Sequence, residues 1–296
     1  METTESLRRA VAVTEGLHSV VKNMKALAGV NIRQCERAAR AIADYNRTIE
    51  MGLQIALRRL PSNLLPPKYP AGQKLGAIVF GSDHGMCGQL NDQVVSHASR
   101  ALQKLSVRCV ELSILAVGAR AAGQLEELGR RPEARVQVPS STLGINQAVE
   151  EVLQRTEDWH LGRGVEFVVL FHARPISGAW YRVQGTRLLP VDAEWINGLK
   201  AKKWPSKVTP MFTMDEAKLF QALIREYLFV SLYRAFAESL ASENASRLAS
   251  MQVAERNIED RRRALTTEFR QVRQSSIASE LLDTIASYEA LQGPYR

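Results

Sequence analysis

The run Gly81-Ser-Asp-His-Gly-Met-Cys-Gly-Gln-Leu-Asn91 gathers the side chains of this chain best suited to chemistry. It follows an apolar run, Leu75 to Phe80, that reads as a strand, and it precedes Gln89 to Leu105, which reads as a helix. Two chemistries are conceivable there. A glycine-rich strand-to-helix turn can cradle phosphate, because the first N–H groups of a helix lack internal partners. The spacing, however, is neither the dinucleotide fingerprint nor a P-loop, and no Gly-Lys-Ser/Thr follows. Alternatively, Cys87 at a helix N-terminus beside Asp83 and His84 could act as an activated thiolate. Neighbours in sequence do not define a catalytic set. The plainer reading, in which the glycines make a tight turn and Cys87 fills a small apolar gap, is the better one. No catalytic residue and no cofactor are expected.

The remaining polar clusters are less specific. His18, His97, His160 and His172 lack metal-ligand spacing, so no metal site is expected. Lys200, Lys202, Lys203 and Lys207 surround Trp204, a patch able to hold nucleic acid, anionic lipid or carboxylate-bearing loops. Arg261-Arg-Arg263 reads as a solvated helix face. The net charge of +8 and a pI of about 9.6 point to anionic partners without choosing among them. No nucleic-acid reader motif is recognisable. The three cysteines, Cys35, Cys87 and Cys109, are odd in number and widely spaced, which fits a reducing compartment. The polar, acidic start, Met1 to Ser6, does not resemble a secretory signal. No apolar run approaches bilayer-spanning length, so any work at a membrane would need another component to hold the chain there.

The elements that position these residues fall into three segments, 1–60, 72–204 and 211–292. From about Ser6 to Leu60 there is no proline, and Val21, Ala28, Cys35, Ile42, Ile49 and Ala56 recur every seven residues. Met24, Ala38 and Tyr45 extend a second seam that contains Asn31, a coiled-coil pattern in which one polar residue can fix register. Gly16, Gly29 and Gly52 each cost about 1 kcal/mol against alanine and call for compensating packing or a close partner backbone. In the middle segment, apolar runs at Leu75–Phe80, Val110–Val117, Arg135–Val138 and Val165–Phe171 alternate with helical stretches, 89–105, 119–128 and 144–156. That alternation predicts an α/β layer with parallel strands, with Trp180–Leu189 as a later edge strand. Proline, glycine and lysine cluster at Pro61–Gly72 and Gly198–Pro210, the natural boundaries. Met211 to Gln292 contains no glycine or proline. As one helix it would run on the order of 120 Å. Met251, Ile258, Leu265 and Val272 are again seven apart, and 237–251 is rich in small residues that let backbones approach. The expected fold is α/β: a long antiparallel coiled coil of N- and C-terminal helices with an inserted Rossmann-like α/β domain.

Three stretches resemble the gamma subunit of F-type ATP synthases. Ser82-Asp-His-Gly-Met-Cys-Gly-Gln-Leu-Asn91 is similar to the family's Asp-x-Gly-Leu-Cys-Gly-x-x-Asn turn. Ala237-Glu-Ser-Leu-Ala-Ser-Glu-Asn-Ala-Ser-Arg-Leu-Ala-Ser-Met251 is similar to its C-terminal helix block, continued by Asn257 and Arg273-Gln-Ser-Ser-Ile-Ala-Ser-Glu-Leu-Leu282. The N-terminal helix departs from the family pattern: Lys22 and Met24 match where several neighbours do not, and Glu268-Phe269 replaces Tyr-Asn, as in a divergent or alternative complex. The resemblance implies a rotor shaft that is not an enzyme, with alpha, beta and epsilon subunits and a c-ring as partners and no nucleic acid. It implies a peripheral position on the cytoplasmic side of a bacterial cell membrane. It implies that Arg273 and Gln274 contact a beta-subunit loop, that Lys22 and Met24 lie near the same region, and that Lys200, Lys202, Lys203 and Lys207 lie in the foot toward the c-ring. Two other readings stand beside it: a soluble α/β enzyme dimerising through its terminal helices, which needs a polar pocket near Asp83 and His84, and a coiled-coil nucleic-acid-binding protein.

Overall fold

A computed structural model describes residues 4–59, 73–106, 109–177, 180–208 and 210–292. The first expected boundary, Pro61–Gly72, lies outside the described residues. The chain divides into two compact units, one made of the chain up to Leu27 and from Ala249 onward, the other of Ala28–Leu248. Two helices, α1 (Thr4–Arg59) and α6 (Glu216–Gln292), contribute to both.

In the first unit the two helices pair through a seven-residue repeat. Leu7, Thr14 and Val21 are buried on α1, while on α6 Met251 and Leu265 are buried and Ile258 and Val272 half-buried. Residues seven apart share one face of an underwound helix, so this is a coiled-coil seam. The pairing is antiparallel. Lys25 Nζ lies 2.5 Å from Glu255 Oε2, whereas Arg273 and Ile277 share a surface cleft with Thr4, Glu5 and Arg8. A side chain at Gly16 would meet nothing within 4 Å, so of the two expected compensations a close partner backbone is not found there.

In the second unit a five-stranded sheet has the order β3-β2-β1-β4-β5. Strands β1 (Gln73–Phe80), β2 (Cys109–Val117), β3 (Ala134–Val136) and β4 (Phe167–Ser177) are parallel, and β5 (Trp180–Leu189) closes one edge antiparallel to β4. Both faces of the sheet are covered, and the strand residues alternate between the two covers, as the period of two requires. Leu75, Ala77 and Val79 point to a layer with α2 (Leu90–Ser106) and α3 (Ala119–Glu127). Ile78 and Phe80 point to the opposite layer with α4 (Ile145–Arg163), α6 and Cys35 of α1. A third cluster joins Ile49, Leu53 and Leu57 of α1 to Val230 of α6 and to Ile196 and Leu199 of α5 (Ala193–Ala201). Helix α5 has no counterpart in the expected elements. It begins at Asp192, whose side chain accepts the Glu194 N–H, a capping signal masked by the nearby lysines and proline.

Within this unit the α1 repeat continues with Ala28, Cys35, Ile49 and Ala56 buried and Ile42 half-buried. Tyr45 does not join the second seam. It is exposed, and its hydroxyl donates to Glu226. Gly52 is used: a Cβ there would meet Leu223 at 2.9 Å, whereas Gly29 faces open space.

Phe236 of α6 sits edge-on to Phe80 of β1, ring centroids 4.9 Å apart, and is 1% exposed. Phe236→Ala should lower unfolding stability by about 3–5 kcal/mol through lost burial and an unfilled cavity. Urea titration should show a lower midpoint at unchanged slope, and a midpoint within error of the parent would refute this packing.

Candidate functional site

The turn 81–91 and the helix block 237–251, far apart in sequence, meet in the second unit. From Ala237 to Ser246 every residue of α6 is buried. A helix buried on all sides cannot keep a polar face toward water, so each polar side chain there must find a partner. Ser242 Oγ donates to the Ala173 carbonyl of β4 at 3.1 Å, and Ser246 Oγ donates to the Cys87 carbonyl at 2.6 Å. Arg247 reaches the Gly85 carbonyl at 3.4 Å and holds Glu243 at 2.7 Å. Asn244 donates to Leu240 O and receives Asn31 of α1 at 3.4 Å. The turn therefore offers carbonyls to a helix.

Inside the turn two of the three candidate catalytic groups, Asp83 and Cys87, have structural tasks. Asp83 Oδ1 accepts the Ala119 N–H at 2.8 Å and Oδ2 accepts the Val138 N–H at 2.7 Å. One carboxylate thus caps α3, whose own N-cap Gly118 supplies no side chain, and ties down the chain leaving β3. Gly118 has φ 102°, and a Cβ there would meet the Ser82 backbone at 2.8 Å, so the crossing needs glycine. Cys87 is 1% exposed. Its sulfur lies 3.4 Å from Ser82 Oγ and receives Asn91 Nδ2 at 3.4 Å. His84 is exposed and reaches the thiol only through its backbone carbonyl at 3.8 Å. No imidazole–thiol pair forms, and Cys87 fills a gap. Cys35, buried beside Glu243, has its thiol pushed up to about 11, first by burial and then by that carboxylate. Both are free thiols. Among the described residues no group of three His, Cys, Asp or Glu could hold a metal ion, and no helix is long and apolar enough to cross a membrane.

A second polar lock joins β4 to α6. Glu238, with its side chain 9% exposed, accepts from Arg234 Nε at 2.8 Å and lies 3.0 Å from His172 Nε2 and 3.5 Å from Arg174 Nε. Burial pushes its carboxyl up, but the hydrogen bonds from His172 and Arg234, with the Arg234 charge, outweigh burial and hold it below the usual range. The sequence signal for this lock was a histidine in the apolar strand Val168–Ala173, which needs a hydrogen-bonding partner when buried; reading His172 as a solvent-facing or core residue left Glu238 unidentified as that partner.

The other sequence-derived positions stand as follows. Lys200 is half-buried at the end of α5, and Lys202, Lys203 and Lys207 are exposed. Lys202 Nζ lies 3.3 Å from Glu50, and its carbonyl receives Gln54, tying this stretch to α1. In the first unit Lys22, Arg273 and Gln274 are exposed and Met24 is half-buried. The antiparallel register brings Arg273 beside Glu5 and Arg8. Lys22 is therefore fourteen residues farther along α1 than Arg8, about 21 Å at helical rise, and the two pairs do not share one region.

Because the folded carboxyl of Glu238 is depressed below its ordinary 4.5, its contribution to stability is present above that value and is lost as pH falls through the lower folded value. Glu238→Gln should flatten the loss of stability on acidification below about pH 5. Denaturation midpoints measured from pH 6 to pH 3 check this, and parallel profiles for variant and parent would refute it.

The comparisons agree with this architecture. A family model described as ATP synthase matches residues 3–291. The ATP synthase gamma chain of Nautilia profundicola is 22% identical over 99% of this chain and 100% of that one. The ATP synthase gamma chain of Thermobifida fusca is 26% identical over 96% and 95%. Among solved structures, a chain of the Euglena gracilis mitochondrial ATP synthase in its OSCP/F1/c-ring assembly, rotational state 3, matches with TM-score 0.66 at 16% identity, covering 98% of this chain and 94% of that one. A chain of the Tetrahymena thermophila mitochondrial ATP synthase central stalk and c-ring matches with TM-score 0.54 at 20% identity, covering 79% and 99%. With its turn and helix block joined as a structural lock and its family match running almost end to end, the chain belongs to the ATP synthase family as a relative of its gamma chains.

Proposed function

We propose that this chain is the central rotor shaft of an F-type ATP synthase, coupling ion-driven rotation of a c-ring to ATP synthesis or hydrolysis on an alpha/beta ring, and that it carries no active site of its own. The observation that carries this reading is the wholly buried, polar-locked stretch of α6 seated in the α/β domain. A helix held on all sides by directional bonds cannot turn independently of its domain, which a torque-transmitting joint requires. An asymmetric shaft presents a different face to each catalytic subunit, and each face stabilises a different conformation, so rotation becomes a sequential bias of nucleotide affinities.

In this reading the functional division is 1–60 and 211–292 as shaft helices and 72–204 as the α/β foot domain. Alpha and beta subunits surround the shaft, and the epsilon subunit and the c-ring contact the foot. The complex is peripheral, on the cytoplasmic face of a bacterial cell membrane. Arg273 and Gln274, and separately Lys22 and Met24, contact the surrounding ring. Lys200, Lys203 and Lys207 face polar loops of the c-ring; Lys202, engaged by Glu50, serves chiefly to fix that stretch.

Co-expression with alpha and beta subunits should give a complex that co-purifies and hydrolyses ATP, while the purified chain alone should not; failure to recover it across a range of salt would overturn the reading. Cys87→Ala should leave turnover of that complex unchanged, and loss of activity with assembly intact would revive the enzyme reading. Arg273→Ala should change turnover or torque by roughly two- to fivefold, the scale of one exposed ionic contact, and an unchanged rate would remove Arg273 from the ring contacts.

A further inference from the structure

A cleft of about 470 Å³ opens within the second unit where the turn after β1, the chain leaving β3, the start of α4 and the middle of α6 converge. The size is that of a small-ligand site. Its position, outside the carboxyl ends of parallel strands, is where open α/β sheets bind ligands. Its charge balance is unusual. Asp83, Glu151 and Glu243 line it with one guanidinium, Arg247, and the imidazole of His84. The Asp83 oxygens each accept a backbone N–H, and Arg247 is bound to Glu243 Oε1. What is left unmatched is an acceptor: Glu243 Oε2 is buried and has no hydrogen-bond partner, in a side chain 7% exposed. An unmatched buried carboxylate oxygen carries a desolvation cost that only a donor can offset. Consistently, burial pushes the Glu243 carboxyl up despite Arg247 beside it. Glu151 stands exposed at the rim, a second acceptor. Val138, Ala148 and Leu240 supply an apolar wall.

We infer that this cleft is a binding site for an alkylammonium group, whose carbon stem packs against Val138, Ala148 and Leu240 while its N–H donors meet Glu243 Oε2 and Glu151. The group could be carried by a diffusible polyamine or by a lysine side chain of an adjoining subunit. An anion is disfavoured because three carboxylates line the cleft and the buried atom left unmatched is an acceptor. A divalent metal is disfavoured because the described residues include no triad of metal-binding side chains.

The test has two arms. In the first, spermidine and lysine amide are titrated into the full-length chain by calorimetry. Both should bind, and Glu243→Gln should weaken binding by roughly tenfold, as expected for loss of a charge-assisted bond. Gln147→Trp, which places a bulky ring at the exposed mouth and leaves the core untouched, should weaken it similarly and serves if Glu243→Gln folds poorly. In the second arm, the assembled complex is treated with a carbodiimide, and peptides are searched for an amide linking Glu151 or Glu243 to a lysine of another subunit. Binding without coupling identifies a diffusible cation, and coupling identifies a subunit lysine. Absence of both, or amine binding that both variants leave unchanged, overturns the inference. The calorimetric arm uses the chain alone, so its failure leaves the shaft reading standing.

Discussion

A helix enclosed on every side has no water in which to hide a polar group, and that constraint organises the second unit. Between Ala237 and Ser246 every residue but Leu240 is small or polar, and all are buried. Alanine and serine let the neighbouring sheet and α1 come close. The same closeness makes Glu238, Ser242, Glu243 and Ser246 costly unless bonded. Their partners lie on β4, in the 81–91 turn, or within α6 itself. Apolar contacts alone would hold the helix against the sheet, but they are non-directional and tolerate sliding. Hydroxyl-to-carbonyl bonds at fixed positions along β4 and the turn do not.

The same constraint gives the most chemically suggestive stretch of the chain a structural part. The turn must leave β1, cross Gly118 in contact with its backbone, and start α2 while presenting two carbonyls to α6. Glycine meets the close approach, Asp83 binds the two N–H groups the crossing would orphan, and Asn91 satisfies the Ser82 N–H at 2.9 Å and Ser82 Oγ at 2.8 Å. Asp83, Ser82 and Asn91 thus hold the turn in one conformation through bonds to its own backbone and to its neighbours.

Much of this was legible from residue spacing. The heptads on both terminal segments and the alternation of strands and helices follow from hydrophobic period, a local property. What stayed hidden depends on contacts between distant segments. No local rule links Ser246 to Cys87 or His172 to Glu238. The small-residue block read as an invitation for two helices to approach; in the structure it also admits the sheet. Tyr45 fits the heptad by position, yet it is exposed because Glu226 offers its hydroxyl a partner at the surface. Lys22 and Arg273 were grouped by family analogy, and only the register of an antiparallel pair separates them.

Register itself is the remaining problem for such a chain. A seven-residue apolar repeat is nearly indifferent to a slip of seven residues, because each buried position finds an equivalent one. In the first unit the ion pair between Lys25 and Glu255 distinguishes the native pairing, since a slip of seven residues would separate the two charges. In the second unit the contact between Asn31 and Asn244 does so at a seam position, where a lone carboxamide against an apolar surface is costly. Helix α6 therefore carries two packing codes. One is a repetitive apolar seam that supplies adhesion, and the other is a non-repeating set of polar contacts that supplies position. For a part that transmits rotation, position is the more demanding requirement: adhesion without it would let the helix settle one heptad away, at little cost in buried area and with every outward-facing side chain displaced by about 10 Å.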